Sequence, residues 1–402
     1  MRRQMFLSTM TLILSISMFA CGNVKDNSVD AQKDLGEEKT NFTGKGFEKS
    51  ASADVEDIEY QALEEITDWK DMATVTIDGD EVNVDGSGVD VEGTVITITS
   101  PGAYNISGSC DDCQIIVDTE DDVKLTLNGV DLSNDDGPVI YGKNSNSIYV
   151  ELADNTNNSL SDGSTYATDS SGEDIGKAVI SAEDDLVFVG NGSLNITGNY
   201  KHGICSDDSL YIESGDISIS TSGSDGIHAN DIVSIDGGTI NISAASDMIE
   251  SESLMVVNAG TITGSSDDEG LKAKGDMYIN GGTIDIQTYD DGINVGDYLE
   301  INDGNITIKS EYGDALDSNG MYEGCITING GTLVLESAGA PEEPIDTENF
   351  GEIINGGDIT TSQNENTMGQ GQMIAPRGDG NFPTGDMPAM DGERPALQAP
   401  TR

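Results

Sequence analysis

Positive charge is scarce in this sequence. Eighteen Lys and Arg stand against 74 Asp and Glu, a formal net charge of −56. Recognition of a phosphate backbone needs Lys and Arg, so nucleic acid is excluded as a natural partner. So anionic a chain leans on counter-cations to stay folded. Histidine is rarer still: His202 and His228 are the only two, too few for a histidine-rich metal site. No Ser-His-Asp set is evident, and no two carboxylates can be assigned as a glycosidase acid and nucleophile. Tryptophan occurs once, at Trp69. After the first twenty residues no apolar run is long enough to span a bilayer.

The one long apolar run is N-terminal. In MRRQMFLSTMTLILSISMFACG two arginines precede an apolar stretch that ends in small residues. That pattern is an export signal. Ala20-Cys21-Gly22 resembles a bacterial lipoprotein cleavage site, in which Cys21 becomes the lipidated first residue. Residues 1–21 thus read as a signal peptide, with the mature protein held at the cell surface through its lipid alone. Residues 22–56 are too polar to bury a core and read as a disordered tether. Residues 57–73 (DIEYQALEEITDWKD and the two after it) have helical spacing and are expected to cap the first coil of the repeat domain, with Trp69 packed there. Residues 363–402, rich in Gly, Met, Pro and Gln, read as a disordered tail.

Between these flanks the chain repeats. Ile204, Ile227, Ile249, Leu271, Ile293 and Leu316 recur every 22 or 23 residues, in step with Gly215, Gly238, Gly260, Gly282 and Gly304. A fixed period of that size signals stacked repeats. Short alternating runs such as Thr239-Ile240-Asn241-Ile242 read as strands, and the Gly-Gly and Asp-Gly pairs as turns. Residues 74–362 are therefore expected to be a single all-β domain, a right-handed parallel β-helix. An Asn/Ser/Asp-rich excursion between Leu152 and Lys177 breaks the period.

In such a solenoid equivalent residues of successive coils lie about 4.8 Å apart, so the repeat can be read as columns. Two positions before the leading apolar residue stand Asp225, Asp247, Glu269, Asp291 and Asp314. One position after it stand Cys205, His228, Glu250, Lys272, Asn294 and Asp317, expected to point outward. Small or apolar residues come next and should point inward. Stacked carboxylates repel by very roughly 1–3 kcal/mol per pair at surface-like dielectric, so screening or a cation is needed. An Asp before Gly is also an ordinary turn residue, but that does not explain the extra acids Glu250, Asp268, Asp290 and Asp317. Asp, Glu and Asn oxygens are hard ligands of the kind Ca²⁺ takes six to eight at a time.

Five cysteines remain. Cys21 goes to the lipid. Cys110 and Cys113 could close a local disulfide or stay reduced; a zinc site there lacks two ligands. Cys205 and Cys325 lie about five coils apart, roughly 24 Å, beyond disulfide reach.

The ordered series KAVISAEDDLVFVGNGSLNITGNYKHGICSDDSLYIESGDISI, SDGIHAN, GGTINI, DDEGLKAKG, GGTIDI and YDDGINVGD resembles the bacterial carbohydrate-binding β-helix family, defined around a clostridial cellulose- and acid-sugar-binding protein. The resemblance runs from Val75 to Gly357. It implies a pectate-lyase-like fold, bound calcium, a cell-surface location and affinity for cellulose or polygalacturonate. The chain departs from the family's EGIE-like coil at Asp247-Met248-Ile249-Glu250, where Met replaces a turn Gly.

Calcium is accordingly expected among Asp225, Asp247, Glu250, Glu269, Asp290, Asp291, Asn294, Asp314 and Asp317. The polysaccharide is expected to touch Lys272, His228, Tyr289 and Tyr312. The two tyrosines share one position on adjacent coils, as does Tyr200, and form either a sugar-stacking platform or a turn-stabilising ladder. Lyases of this fold use Lys or Arg as base, which would make Lys272 catalytic. A lysine among carboxylates, however, has its charged form favoured, which is wrong for a base. A calcium-dependent carbohydrate-binding module, acting as a monomer, is the leading expectation. A β-eliminating lyase and a surface spacer or adhesin stalk are the alternatives.

Overall fold

The computed structural model describes residues 66–367, with side chains to residue 364. Among them there is no helix. They form a parallel β-solenoid of about twelve turns. A typical coil has three short strands, as in His202–Ser206, Leu210–Ile212 and Asp216–Thr221. The first strand of each coil belongs to an 11-stranded sheet, and the other two join a 22-stranded sheet. Register follows the sequence period: Ile204 pairs with Ile227, then Ile249, Leu271, Ile293 and Leu316. The third strands stack Ile217, Ile240, Ile262, Ile284, Ile306 and Leu333 in the same way. These side chains are buried in one continuous core, and each fully buried aliphatic contributes roughly 1.5–3 kcal/mol.

The glycine marker is a turn requirement. Gly238, Gly260 and Gly282 have φ of 81°, 91° and 90°, a left-handed conformation that costs side-chain-bearing residues dearly. A Cβ on Gly260 would also stand 2.7 Å from the Gly237 carbonyl oxygen of the coil before. Beside this turn runs an amide ladder. Asn258 donates to Asp236 at 2.8 Å, Asn280 to Asn258 at 2.8 Å, Asn302 to Asn280 at 2.9 Å, Asn329 to Asn302 at 2.8 Å and Asn355 to Asn329 at 2.8 Å.

Four expectations change. The described part of the N-terminal segment is not helical: Ile66–Lys70 are irregular and Asp71–Asp78 is already a strand. Residues 57–65 lie outside the described residues, as do the signal, tether and Cys21. The first coil is instead edged by strands Glu81–Gly86 and Val89–Glu92, paired antiparallel to Asp71–Asp78 and Val95–Ile98. Both are mostly exposed and carry acids, which discourages a further chain from adding to the edge. Trp69 packs on a side face, edge-on to Tyr149 at 5.1 Å between ring centres. The Leu152–Lys177 excursion is shorter than expected, because Asn157–Asp162 is a regular strand between its neighbours on adjacent coils. At the other end the last strand runs on to Thr367.

The Met248 departure leaves the register intact, since Glu250 still pairs with both His228 and Lys272. A Cβ on the equivalent Gly226, Gly270 or Gly292 would strike an isoleucine of its own coil, Ile242, Ile286 or Ile308, at 2.1–2.5 Å. In the Met248 coil that isoleucine position is Gly264. The buried Met248 side chain is thus matched by a missing one at Gly264. Gly264→Ile alone should destabilise strongly. Adding Met248→Gly should recover part of the loss, with a coupling of about 1–3 kcal/mol in a double-mutant cycle of urea melts; zero coupling would refute the exchange.

Candidate metal centre

Two columns run side by side along the 11-stranded sheet. One column stands in the turn two residues before the leading apolar residue and the other in the strand one residue after it, three apart, so every coil adds a pair. The inner column that follows them is buried throughout, with Ser206, Ala229, Ser251 and Val295 all at 0 % exposure. The outer pair is less open than alternation implies. Asp225, Asp247, Glu250, Asp314 and Asp317 are all buried. Like charges stacked in a half-dry groove cannot be left to solvent screening, and three different solutions appear along the ladder.

At the N-terminal end the partners are histidines. His202 Nδ1 stands 3.0 Å from Asp225 Oδ2, and His228 Nδ1 lies 3.3 Å from the same oxygen and 3.2 Å from Glu250 Oε2. Burial opposes the charge on Asp225, but the two imidazoles outweigh it and hold the carboxyl below its ordinary range. Burial likewise opposes charge on His228, and Asp225 with Glu250 overcomes it, raising the imidazole to about 9. His228 thus turns toward the acids of the ladder.

In the middle the partner is Lys272. Its Nζ lies 3.3 Å from Asp247 Oδ2, 3.3 Å from Glu269 Oε1 and 3.9 Å from Glu250 Oε1. Burial works against this ammonium, yet Asp247, Glu269 and Glu250 together hold its pKa well above the usual lysine range. Asp247 and Glu269 behave as one pair: burial and its neighbour push Asp247 up, and the contact with Asp247 draws Glu269 down against its own burial. Lys274 adds a second ammonium on Glu252 and Glu250.

At the C-terminal end there is no such partner. Among the described residues no salt bridge reaches Asp290, Asp291, Asp314 or Asp317. Asp346 joins them through an isolated parallel bridge to Asp317. Carboxylate oxygens of Asp314, Asp317 and Asp346 lie within 4.8 Å of one another. Burial, then neighbouring acids, raise Asp291 to about 7 and Asp314 and Asp317 to about 8; burial raises Asp290 too. Asn294 Nδ2 bridges Asp291 Oδ2 at 2.8 Å and Asp317 Oδ2 at 3.1 Å. Turning that amide over would present Oδ1 instead. The carboxylates of Asp291, Asp314, Asp317 and Asp346 with an amide oxygen, on a part-buried surface, fit a hard divalent cation of the Ca²⁺ type. Of the nine expected calcium ligands, Asp291, Asn294, Asp314 and Asp317 stand together here, and Asp290 adjoins them on the side of Glu269 and Lys272. Asp225, Asp247, Glu250 and Glu269 stand elsewhere on the ladder, beside histidine and lysine, where Asp225, Asp247 and Glu250 also approach one another within 4.8 Å.

Tyr289 and Tyr312 stand beside this acidic end, their rings 4.7 Å apart and tilted by 40°. Tyr289 is 39 % exposed. Tyr200 does not continue the row; it packs on Tyr166 at 4.8 Å and donates to Asp174. Sequence reasoning missed Asp346 and the place of His202. His202 has the same offset from Ile204 as Asp225 has from Ile227, a signal hidden because the column was followed by its acids. All four described cysteines, Cys110, Cys113, Cys205 and Cys325, are free and buried.

Residues 92–288 and 253–375 match the family described as carbohydrate-binding domain-containing protein. The chain belongs to that carbohydrate-binding domain family. A carbohydrate-binding domain-containing protein of Acetivibrio thermocellus is 33 % identical over 135 residues, 33 % of this chain and 47 % of that one. The chain therefore spans about half the length of this relative. The solved structure of a polysaccharide lyase-like protein from C. thermocellum, a gadolinium derivative, is 30 % identical with a TM-score of 0.56, covering 57 % of this chain and 96 % of that one.

The acidic end gives this carbohydrate-binding domain a pH signature. Asp291, Asp314 and Asp317 have folded values of about 7, 8 and 8, against about 3.9 unfolded. The folded state then binds more protons than the unfolded one between those values, so stability falls as pH rises from about 4 to 8. In chelator the melting temperature should drop across that window. Calcium should raise it more at pH 8 than at pH 5; an equal effect at both would contradict the assignment.

Proposed function

We propose that this family member is a calcium-dependent binder of acidic plant-type polysaccharide, displayed at the cell surface as a lipoprotein through Cys21. The observation that carries the reading is the uncompensated carboxylate group at Asp291, Asp314, Asp317 and Asp346. An anionic protein and a polyuronide repel each other. A divalent cation held by protein carboxylates, with coordination left over for a uronide carboxylate, reverses that sign. Tyr289 and Tyr312, adjoining the acids in sequence and partly open, suit the faces of sugar rings. Calcium would supply only this bridging charge; Asn294 and the four aspartates would hold it. Cellulose, lacking carboxylates, would use the tyrosines without the bridge.

A lyase reading draws on the polysaccharide lyase-like structure, with Lys272 as base. A base must be free to lose its proton near working pH, and the three carboxylates around Lys272 keep it charged. Lys272 suits an ion pair that neutralises the middle of the ladder.

The two readings separate in one assay. The mature protein is incubated with insoluble polygalacturonate or cellulose, with calcium or chelator, and the supernatant is read for unsaturated uronide absorbance. Retention on polygalacturonate should require calcium and bring no new absorbance. Asp314→Asn with Asp317→Asn should lower calcium affinity by about 10–100-fold and abolish that retention. Absorbance that appears with the wild type and vanishes in Lys272→Ala would make it a lyase. Retention on neither polymer would favour a surface spacer. For the anchor, incorporation of labelled fatty acid should be lost in Cys21→Ser; incorporation by that variant would contradict lipidation at this residue.

A further inference from the structure

The histidine end of the ladder has a chemistry that the acidic end lacks. We propose that His202, Asp225 and His228, with Glu250 beside His228, form a second metal site, for a borderline divalent ion of the Zn²⁺ class. Imidazole nitrogen is a ligand that zinc, copper and nickel favour and calcium does not. The donors come from neighbouring coils, spread over the two columns. Their separations are His202 Nδ1 to Asp225 Oδ2 3.0 Å, His228 Nδ1 to Asp225 Oδ2 3.3 Å and His228 Nδ1 to Glu250 Oε2 3.2 Å. His202, Asp225 and His228 have ligand atoms all within 4.8 Å of one another, and ligands about 2.0–2.1 Å from a tetrahedral zinc lie roughly 3.3–3.4 Å apart, so these three would close on an ion, with Glu250 or water completing its shell.

A second observation points the same way. Both Nδ1 atoms are buried, and neither makes a hydrogen bond despite the nearby carboxylate oxygens. The approach is that of charges or co-ligands and lacks the alignment of a ring N–H with its acceptor. The rings lie face to face, 4.8 Å apart at 30°, so both nitrogens converge on one side. Glu252, with Oε1 3.8 Å from His228 Nε2, is placed to orient the ring from outside, as carboxylates commonly do for ligating histidines. The histidine side chains are 15 % and 14 % exposed, enough for an ion to enter from solvent. The site is independent of calcium at the acidic end, with Lys272 between them.

The chain has only two histidines, so the test is direct. Wild-type mature protein carrying ¹⁵N-histidine is saturated with calcium and titrated with ZnCl₂ while the ring nitrogens are followed by NMR. Both Nδ1 resonances should move to metal-bound positions together, at one zinc per chain. In parallel, CoCl₂ should give the visible bands of a tetrahedral N/O site without the near-ultraviolet thiolate band that cysteine ligation would bring. His202→Gln and His228→Gln should each weaken cobalt binding at least tenfold, while Asp317→Asn leaves it unchanged. Histidine resonances that stay put through zinc saturation would overturn the proposal, whatever the variants do. So would cobalt bands that persist in the double histidine variant.

Discussion

Stacking dominates this molecule. Each coil lies about 4.8 Å from the next, so whatever a sequence position carries is placed directly against its counterparts. For apolar positions this is favourable, and Ile204, Ile227, Ile249, Leu271, Ile293 and Leu316 share one dry core. For asparagine it is favourable too, because an amide donates on one side and accepts on the other, as from Asn258 to Asn355. A carboxylate only accepts. A column of carboxylates therefore cannot satisfy itself and must be completed by something that brings positive charge or protons.

The two acidic columns show that need met differently along one ladder. Imidazoles complete it around Asp225, and Lys272 completes it around Asp247 and Glu269. Around Asp314 and Asp317 no protein cation among the described residues is within reach, and burial pushes the carboxyls toward holding protons at neutral pH. One backbone geometry thus offers donors of different hardness at its two ends, with an ammonium between them. Function on this fold would then be set by a few substitutions in two columns.

Much of this was legible in the sequence, for a physical reason. The period fixes the register, and register fixes neighbours, so the stacking of Glu250, Lys272 and Asn294 and the charged state of Lys272 could be read without coordinates. What escaped was whatever left the period. Asp346 comes from an irregular stretch after Gly339 with no marker residue. The edge strands Glu81–Gly86 and Val89–Glu92 run antiparallel, so they follow no coil pattern, and the helical spacing near Trp69 pointed elsewhere. The Asn ladder did carry a signal, an Asn two residues before each marker Gly from Gly260 on. Met248 looked like a loop defect because its compensation, Gly264, lies sixteen residues later on another strand.

The central claim is that the cation belongs at the acidic end of the ladder and that the lysine and histidine segments exclude calcium. Crystals of the mature protein grown in calcium, with anomalous differences collected at long wavelength, would locate the ion directly. A peak bonded to oxygens of Asp314, Asp317 and Asp346, with Asn294 turned to offer Oδ1, is the predicted result. No peak there, or calcium seated between Asp225 and Glu250 with the histidines displaced, would contradict the account.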